Sequence, residues 1–177
     1  MFDSLTTNRL QLREWTEEDA PDAYAVYGSA DVARWLTPVM NRLPDEEAMR
    51  STLRTWISEQ PEQIPPYGRW AVVRTSDGQT IGGMALRPLP PHKEDIEIAW
   101  QLAPAYWGQG YAAEAARALA GWAFAQGADE LFAVVRPGNE RAARMARRIG
   151  MEWTGESEKY YELSLQVYRL RPDDLTR

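Results

Sequence analysis

The stretch IEIAWQLAPAYWGQGYAAEA, residues 96–115, decides the fold. In its first seven residues Ile96, Ile98, Trp100 and Leu102 alternate with Glu97, Ala99 and Gln101, a period that predicts a strand carrying one polar stripe. A glycine-punctuated turn over residues 104–110 follows, and then a helix over 111–126 whose Ala115, Leu119 and Trp122 form an apolar stripe stopped by Gly127. A strand that passes through such a turn into a helix N-terminus has the geometry of an anion site. The first N–H groups of a helix lack intrahelical partners and sit at the positive end of its dipole. Gly108 and Gly110 let a ligand approach that backbone closely.

Downstream, residues 131–136 (LFAVVR) read as a buried strand, Pro137-Gly138-Asn139 as a turn, and 140–149 as a helix stopped by Gly150. Two further strands are expected near 151–155 and 161–170. Upstream, Leu10 and Leu12 alternate with Gln11 and Arg13 as a first strand, and Thr16 with Asp19 resembles a capping box opening a helix that ends at Gly28. Ala20, Ala23, Tyr24 and Tyr27 recur on its core face. A short helical piece is predicted over 31–36. A longer helix over 45–60 follows Pro44, with Met49, Leu53, Trp56 and Gln60 on one face. Residues 69–75 and 80–86 form a hairpin about Ser76-Asp77-Gly78, and Gly82 with Gly83 marks a bulge or a close backbone approach. The sum is about seven strands and four or five helices in mixed α/β order, with strand–helix–strand units concentrated after residue 95.

The chain has 177 residues, 44% hydrophobic and 26% charged, which predicts one domain over 1–177 with a sizeable core. A net charge of −6 argues against nucleic acid as the main partner. Without Cys there is no disulfide framework, thiolate metal site or cysteine nucleophile, and the single His92 excludes a two-histidine metal motif, so no metal is expected. Residues 1–10 lack the basic and apolar regions of a signal peptide, and no stretch approaches the length of a membrane span. A cytoplasmic address without membrane contact is the expectation.

GxxxxGK[ST] is absent, and the run from Gly108 supplies only two glycines of GxGxxG, with Ala113 at the third place. The run WGQGYAAEA instead resembles the acyl-coenzyme A signature of the GNAT N-acetyltransferase superfamily, most of all its ribosomal-protein N-terminal (alanine/serine) acetyltransferase branch. Trp107 to Ala112 matches the [QR]xxGx[GA] loop at Gly110 and Ala112, with Trp107 in the first place. Asn139 and Gly150-Met151 resemble the branch's NxxSxxxxxKxGF run, and TNRLQLREWTEEDA resembles its opening.

The resemblance implies a mixed sheet splayed open between the strands of Glu97 and Val134, with the pantetheine arm of acetyl-CoA in the gap. It implies that the N–H groups of Gly108, Gln109, Gly110, Tyr111 and Ala112, after Trp107, bind the pyrophosphate, while backbone at Trp100, Gln101 and Leu102 pairs with the pantetheine amides. Asn139 contacts that arm or caps the next helix, two compatible roles. Glu97 is implied as the general base, near a strand bulge, acting on the acceptor amine through a water. An N–H of residues 98–100 is expected to meet the oxyanion. Arg141, Arg144 and Arg148 recur at i, i+3 and i+7 opposite Ala142, Met145 and Ile149. They form either a solvated face or, through one of them, a contact to the ribose 3′-phosphate.

Two positions depart from the family's pattern. Ala142 stands where the branch carries Ser, and Ala146 where many members carry a tyrosine acid, leaving Tyr160 or Tyr161 as sources of a proton for the leaving thiolate. Residues 31–68 and 87–95 are expected to build the acceptor side. Trp35, Trp56, Tyr67, Trp70 and Tyr160 are candidates for cleft or core, and His92 for an exposed loop. The function expected is direct acetyl transfer to a primary amine, of a protein N-terminus or a small molecule, by a monomer or homodimer. Net acidity favours a cationic acceptor. The alternative is an acyl-CoA-binding or sensing domain that has lost catalysis.

Overall fold

The computed structural model describes residues 4–37 and 39–176. In chain order the elements are β1 Ser4–Thr6, β2 Leu10–Arg13, α1 Ala20–Tyr27, α2 Ala30–Ala33, α3 Glu46–Glu59, β3 Gly68–Arg74 and β4 Gln79–Pro88. They continue with β5 Ile96–Leu102, α4 Tyr111–Ala125, β6 Leu131–Val135, α5 Glu140–Arg148, β7 Glu152–Ser157 and β8 Leu165–Leu170. The eight strands form one sheet in the order β1-β2-β3-β4-β5-β6-β8-β7, antiparallel throughout except for β5 against β6.

Local chemistry explains most boundaries. Thr16 donates its N–H to Asp19, whose carboxylate also takes two 2.8 Å bonds from Arg13, and this knot starts α1. Asp45, one residue beyond Pro44, is the N-cap of α3 and accepts from the Ala48 N–H at 2.8 Å. Gly127 and Gly150, at φ of +100° and +98°, follow the ends of α4 and α5 in the left-handed conformation that an L side chain resists.

β3 is buried on both faces. Trp70 and Val72 join the core under α4, where Trp70 meets Trp122 edge-on at 5.6 Å, while Ala71 and Val73 join the core under α1 and α3. The sheet is thus covered by α1–α3 on one side and by α4 and α5 on the other. Both expectations for Gly82 and Gly83 hold: Ile81 is an extra residue in the β3–β4 ladder, and a Cβ at Gly82 would lie 2.3 Å from the Gln101 carbonyl oxygen.

Three expectations need correction. There are eight strands, because β1, three residues with little hydrophobic signal, pairs with β2. The last strand begins at Leu165 rather than residue 161: Tyr161 and Glu162, both at φ +56°, make a turn that breaks the aromatic run. The β4–β5 ladder keeps its register from Gly82–Leu102 to Pro88–Ile96, so the bulge expected beside Glu97 is absent there and lies at Ile81.

Candidate functional site

The parallel ladder between β5 and β6 carries one pairing among the described residues, Glu97 with Phe132. Past that rung the strands diverge. β5 stays bonded to β4 on its other side, so from Ile98 onward it turns a strand edge toward the gap. The gap is a cleft of about 690 Å³ whose lining includes Ile98, Trp100 and Leu102 of β5, Val134 of β6 and the start of α4.

At that start Gly108 and Gly110 hold φ of +76° and +81°, and Gly110 is the N-cap of α4 with no side chain to satisfy the first N–H groups. A Cβ at Gly108 would meet no protein atom within 4 Å, while one at Gly110 would lie 3.3 Å from the Arg148 guanidinium and 3.4 Å from that of Arg9. Arg9 is itself fixed by Glu114 at 2.7 Å and by the Gln109 carbonyl at 2.9 Å. Arg141 stacks over the Trp107 ring, 3.3 Å from its centroid, and Trp107 donates its indole N–H to the Leu102 carbonyl at 3.0 Å. Among the described residues Arg87, Arg136, Arg141, Arg144 and Arg148 line the cleft against two acids, Asp31 and Glu97. Open N–H groups, glycines without Cβ and excess guanidinium fit a long ligand with several phosphate charges.

At the closed end of the gap lies Glu97, 4% exposed. Its Oε1 accepts from Arg87 Nε at 2.8 Å and from the Tyr161 hydroxyl at 2.5 Å. Arg87 is the cross-strand neighbour of Glu97 on β4, and the carboxylate holds its guanidinium well above the usual arginine range in spite of burial. Burial, then the Glu97 charge, pushes the Tyr161 phenol far up, so its proton stays in place at neutral pH. Arg136 donates to the Thr37 carbonyl, tying the end of β6 to the turn that carries Trp35.

The description of an acetyltransferase (GNAT) domain matches residues 9–152 of this sequence. The chain belongs to the GNAT family of acetyltransferases. Among curated proteins it is similar to the uncharacterized N-acetyltransferase YoaA of Bacillus subtilis, 27% identical over 90% of this chain and 89% of that protein. Among solved structures it resembles an acetyltransferase from Agrobacterium tumefaciens, with TM-score 0.75, 26% identity and coverage of 97% and 95% of the two chains. The ribosomal L7/L12 α-N-protein acetyltransferase RimL, solved in complex with coenzyme A, shares the fold at TM-score 0.76 and 16% identity over 97% and 99%.

Within this GNAT fold most of the anticipated residues converge. Glu97, Trp100, Gln101, Leu102, Trp107, Gly108, Gly110, Tyr111, Ala112, Asn139, Arg144 and Trp35 all line the one cleft. Asn139 also caps α5, accepting from the Ala142 N–H at 3.3 Å. Gln109 is exposed and turned outward, its amide donating to the Ala105 carbonyl at 3.3 Å. Ala142 lines the cleft and Ala146 is buried behind it, so neither position offers a protic group.

Tyr160 and Tyr67 do not belong to the cleft. Tyr160 is buried in a satellite cluster with Leu89 and Leu165 and donates to Asp95 at 2.6 Å, because the turn at Tyr161 sends the two tyrosines apart. Tyr67 lies before β3, its N–H bonded to the Ile64 carbonyl at 2.9 Å. Trp70 is core, and His92 is exposed in its loop. Arg87, Arg136 and Arg9 were not legible beforehand. The signal for Arg87 is its register opposite Glu97, which requires knowing how β4 pairs with β5.

Proposed function

We propose that this GNAT protein is an acetyl-CoA-dependent N-acetyltransferase that passes the acetyl group directly to a primary amine. The observation that carries the reading is the cleft itself, an arginine-rich, glycine-opened helix N-terminus continuous with a strand edge that leads to a buried carboxylate. Acetyl-CoA, when bound, supplies a thioester carbonyl open to attack by an amine.

The roles follow from chemistry. N–H groups from Gly108 to Ala112 hold the pyrophosphate, and Arg144 or Arg148 the 3′-phosphate. The β5 edge at Trp100, Gln101 and Leu102 pairs with the pantetheine amides as an added strand would. An amine of pKa about 8 to 10.4 arrives protonated and must lose that proton before it attacks. Glu97 receives it through a water, and an N–H of residues 98–100 faces the oxyanion. The Tyr161 hydroxyl, bonded to Glu97, passes a proton to the leaving thiolate as it takes up the one Glu97 received from the amine, so that no phenolate is left; at pKa about 8.5 the thiolate gains from protonation without requiring it.

The acceptor is the amine of a protein N-terminus or of a small molecule, and the motif resemblance to the ribosomal-protein branch supports the former. Thermal unfolding with and without acetyl-CoA, with ATP and NAD as controls, tests the cleft: ligand at 100 times its dissociation constant adds about 2.7 kcal/mol. A selective shift followed by amine-dependent thiol release supports the enzyme. A shift without transfer to any amine favours a sensing domain, and no shift removes both.

A further inference from the structure

The net charge of −6 does not extend to the acceptor end of the cleft. Beyond Arg87 lies a small annex of about 20 Å³, room for one water or one compact ligand group. It shares Arg87, Gln101 and Leu36 with the main cleft. Its far wall is Trp15 and Trp56 of the core under α1 and α3, so the annex is a dead end. The lining holds two arginines, Arg69 and Arg87, and no carboxylate among the described residues.

The two arginines differ in their electrostatic state. Arg87 is neutralised by Glu97. Arg69, from β3, lies over the Trp56 ring at 4.7 Å, and among the described residues no carboxylate pairs with it. Burial, then the nearby Arg87 charge, pulls the pKa of this half-buried guanidinium down, and the charge of Glu59 offsets part of that. An anion entering the annex would meet in Arg69 a guanidinium with no carboxylate at ion-pair distance among the described residues.

We propose that the acceptor is a small amine that also carries a carboxylate, with the carboxylate seated in the annex against Arg69 and Arg87 and the amine directed to Glu97. The planar fork of a guanidinium matches a carboxylate, and a dead end suits a terminal group rather than a continuing polypeptide. Arg87 lines the annex and bonds Glu97, so a single side chain joins the proposed carboxylate seat to the proposed base, an arrangement suited to a short acceptor such as an amino acid. The local charge therefore reverses the cationic acceptor expected from net acidity. This inference rests on the N-acetyltransferase reading above.

Two measurements test it. In the first, acetyl transfer is compared between amino acids, their carboxamides and their decarboxylated amines. The carboxylate is expected to raise kcat/KM about 10- to 150-fold, the range of one charge-assisted hydrogen bond. Arg69→Gln removes that preference and Arg69→Lys retains part of it, while Tm and acetyl-CoA affinity hold. In the second, N-acetyl amino acids and their carboxamides are titrated calorimetrically into the protein with coenzyme A, a readout independent of turnover. The acids are expected to bind wild type and to lose affinity in Arg69→Gln. If the acids bind through Arg69 but no amine is acetylated, the transferase reading falls and the anion site stands. The proposal is overturned if carboxamides match the acids in both measurements, if Arg69→Gln lowers both alike, or if a peptide N-terminus without a nearby carboxylate is the better acceptor.

Discussion

Glu97 serves two interactions with one oxygen: Oε1 holds the Arg87 guanidinium and the Tyr161 hydroxyl. Gln at this position keeps an oxygen in the same place but cannot take up the amine proton, so Glu97→Gln is expected to lower kcat by about 10²- to 10⁴-fold, the usual weight of a general base. Acetyl-CoA affinity should hold, because the loop proposed to bind the pyrophosphate lies at the other end of the cleft; single-turnover kinetics with a parallel Kd measurement separates the two. An unchanged kcat would take Glu97 out of the mechanism. The carboxylate was legible from its place on the polar stripe of 96–102 and from the family resemblance. Its partners were not, since Arg87 reaches it through the β4–β5 register and Tyr161 through a left-handed turn, and neither leaves a mark at fixed sequence spacing.

The elements that build the phosphate end allow the ligand's claim on a residue to be separated from the fold's. A Cβ at Gly108 touches nothing in the protein, so Gly108→Ala carries only the backbone penalty of a left-handed residue, about 1–2 kcal/mol, or roughly 2–8 °C in Tm. Its effect on acetyl-CoA binding should exceed that if the added methyl enters the path proposed for the pyrophosphate; calorimetry on both quantities decides, and equal losses would place the ligand elsewhere.

At the other end of the chain, the knot that starts α1 sets a pH dependence. Burial pushes the Asp19 carboxyl up, and Arg13 with the Thr16 N–H and the Thr80 hydroxyl more than offsets it, leaving Asp19 below the usual carboxylate range. A lowered folded-state pKa gives stability that is present above the unfolded value near 4 and lost as pH falls through the folded one. Urea unfolding from pH 7 to 3 should therefore show Asp19→Asn less stable by about 1–3 kcal/mol at neutral pH, with the gap closing below about pH 4. Thr16 and Asp19 announced this helix start in the sequence, as Gly127 and Gly150 announced the ends of α4 and α5. β1 did not, because three residues with partly buried Leu5 at their centre carry too little pattern.

Over the whole molecule, a chain of net charge −6 gathers five arginines around one cleft. Distant surface acids are screened within about 10 Å at 0.1 M salt, whereas guanidinium groups touching a phosphate are screened less. Acetyl-CoA affinity is expected to fall modestly with salt, and dephospho-CoA to bind more weakly than CoA by a factor that Arg144→Ala or Arg148→Ala abolishes in fluorescence titration; no difference between the two ligands would return the stripe to a solvated face.

The divergence of β5 from β6 has a consequence for motion. Glu97–Phe132 is the rung they share among the described residues; beyond it the two parts of the sheet are held by their common core rather than by the ladder, which leaves the β5 edge open. Amide protons on the free edge of β5 should exchange with deuterium far faster than their β4-bonded neighbours one residue away. A ligand bridging that edge should slow them. The rung at which the gap closes is made by the residue expected to take the amine's proton, so the end of the ladder and the reach of the base are set at a single point in the chain.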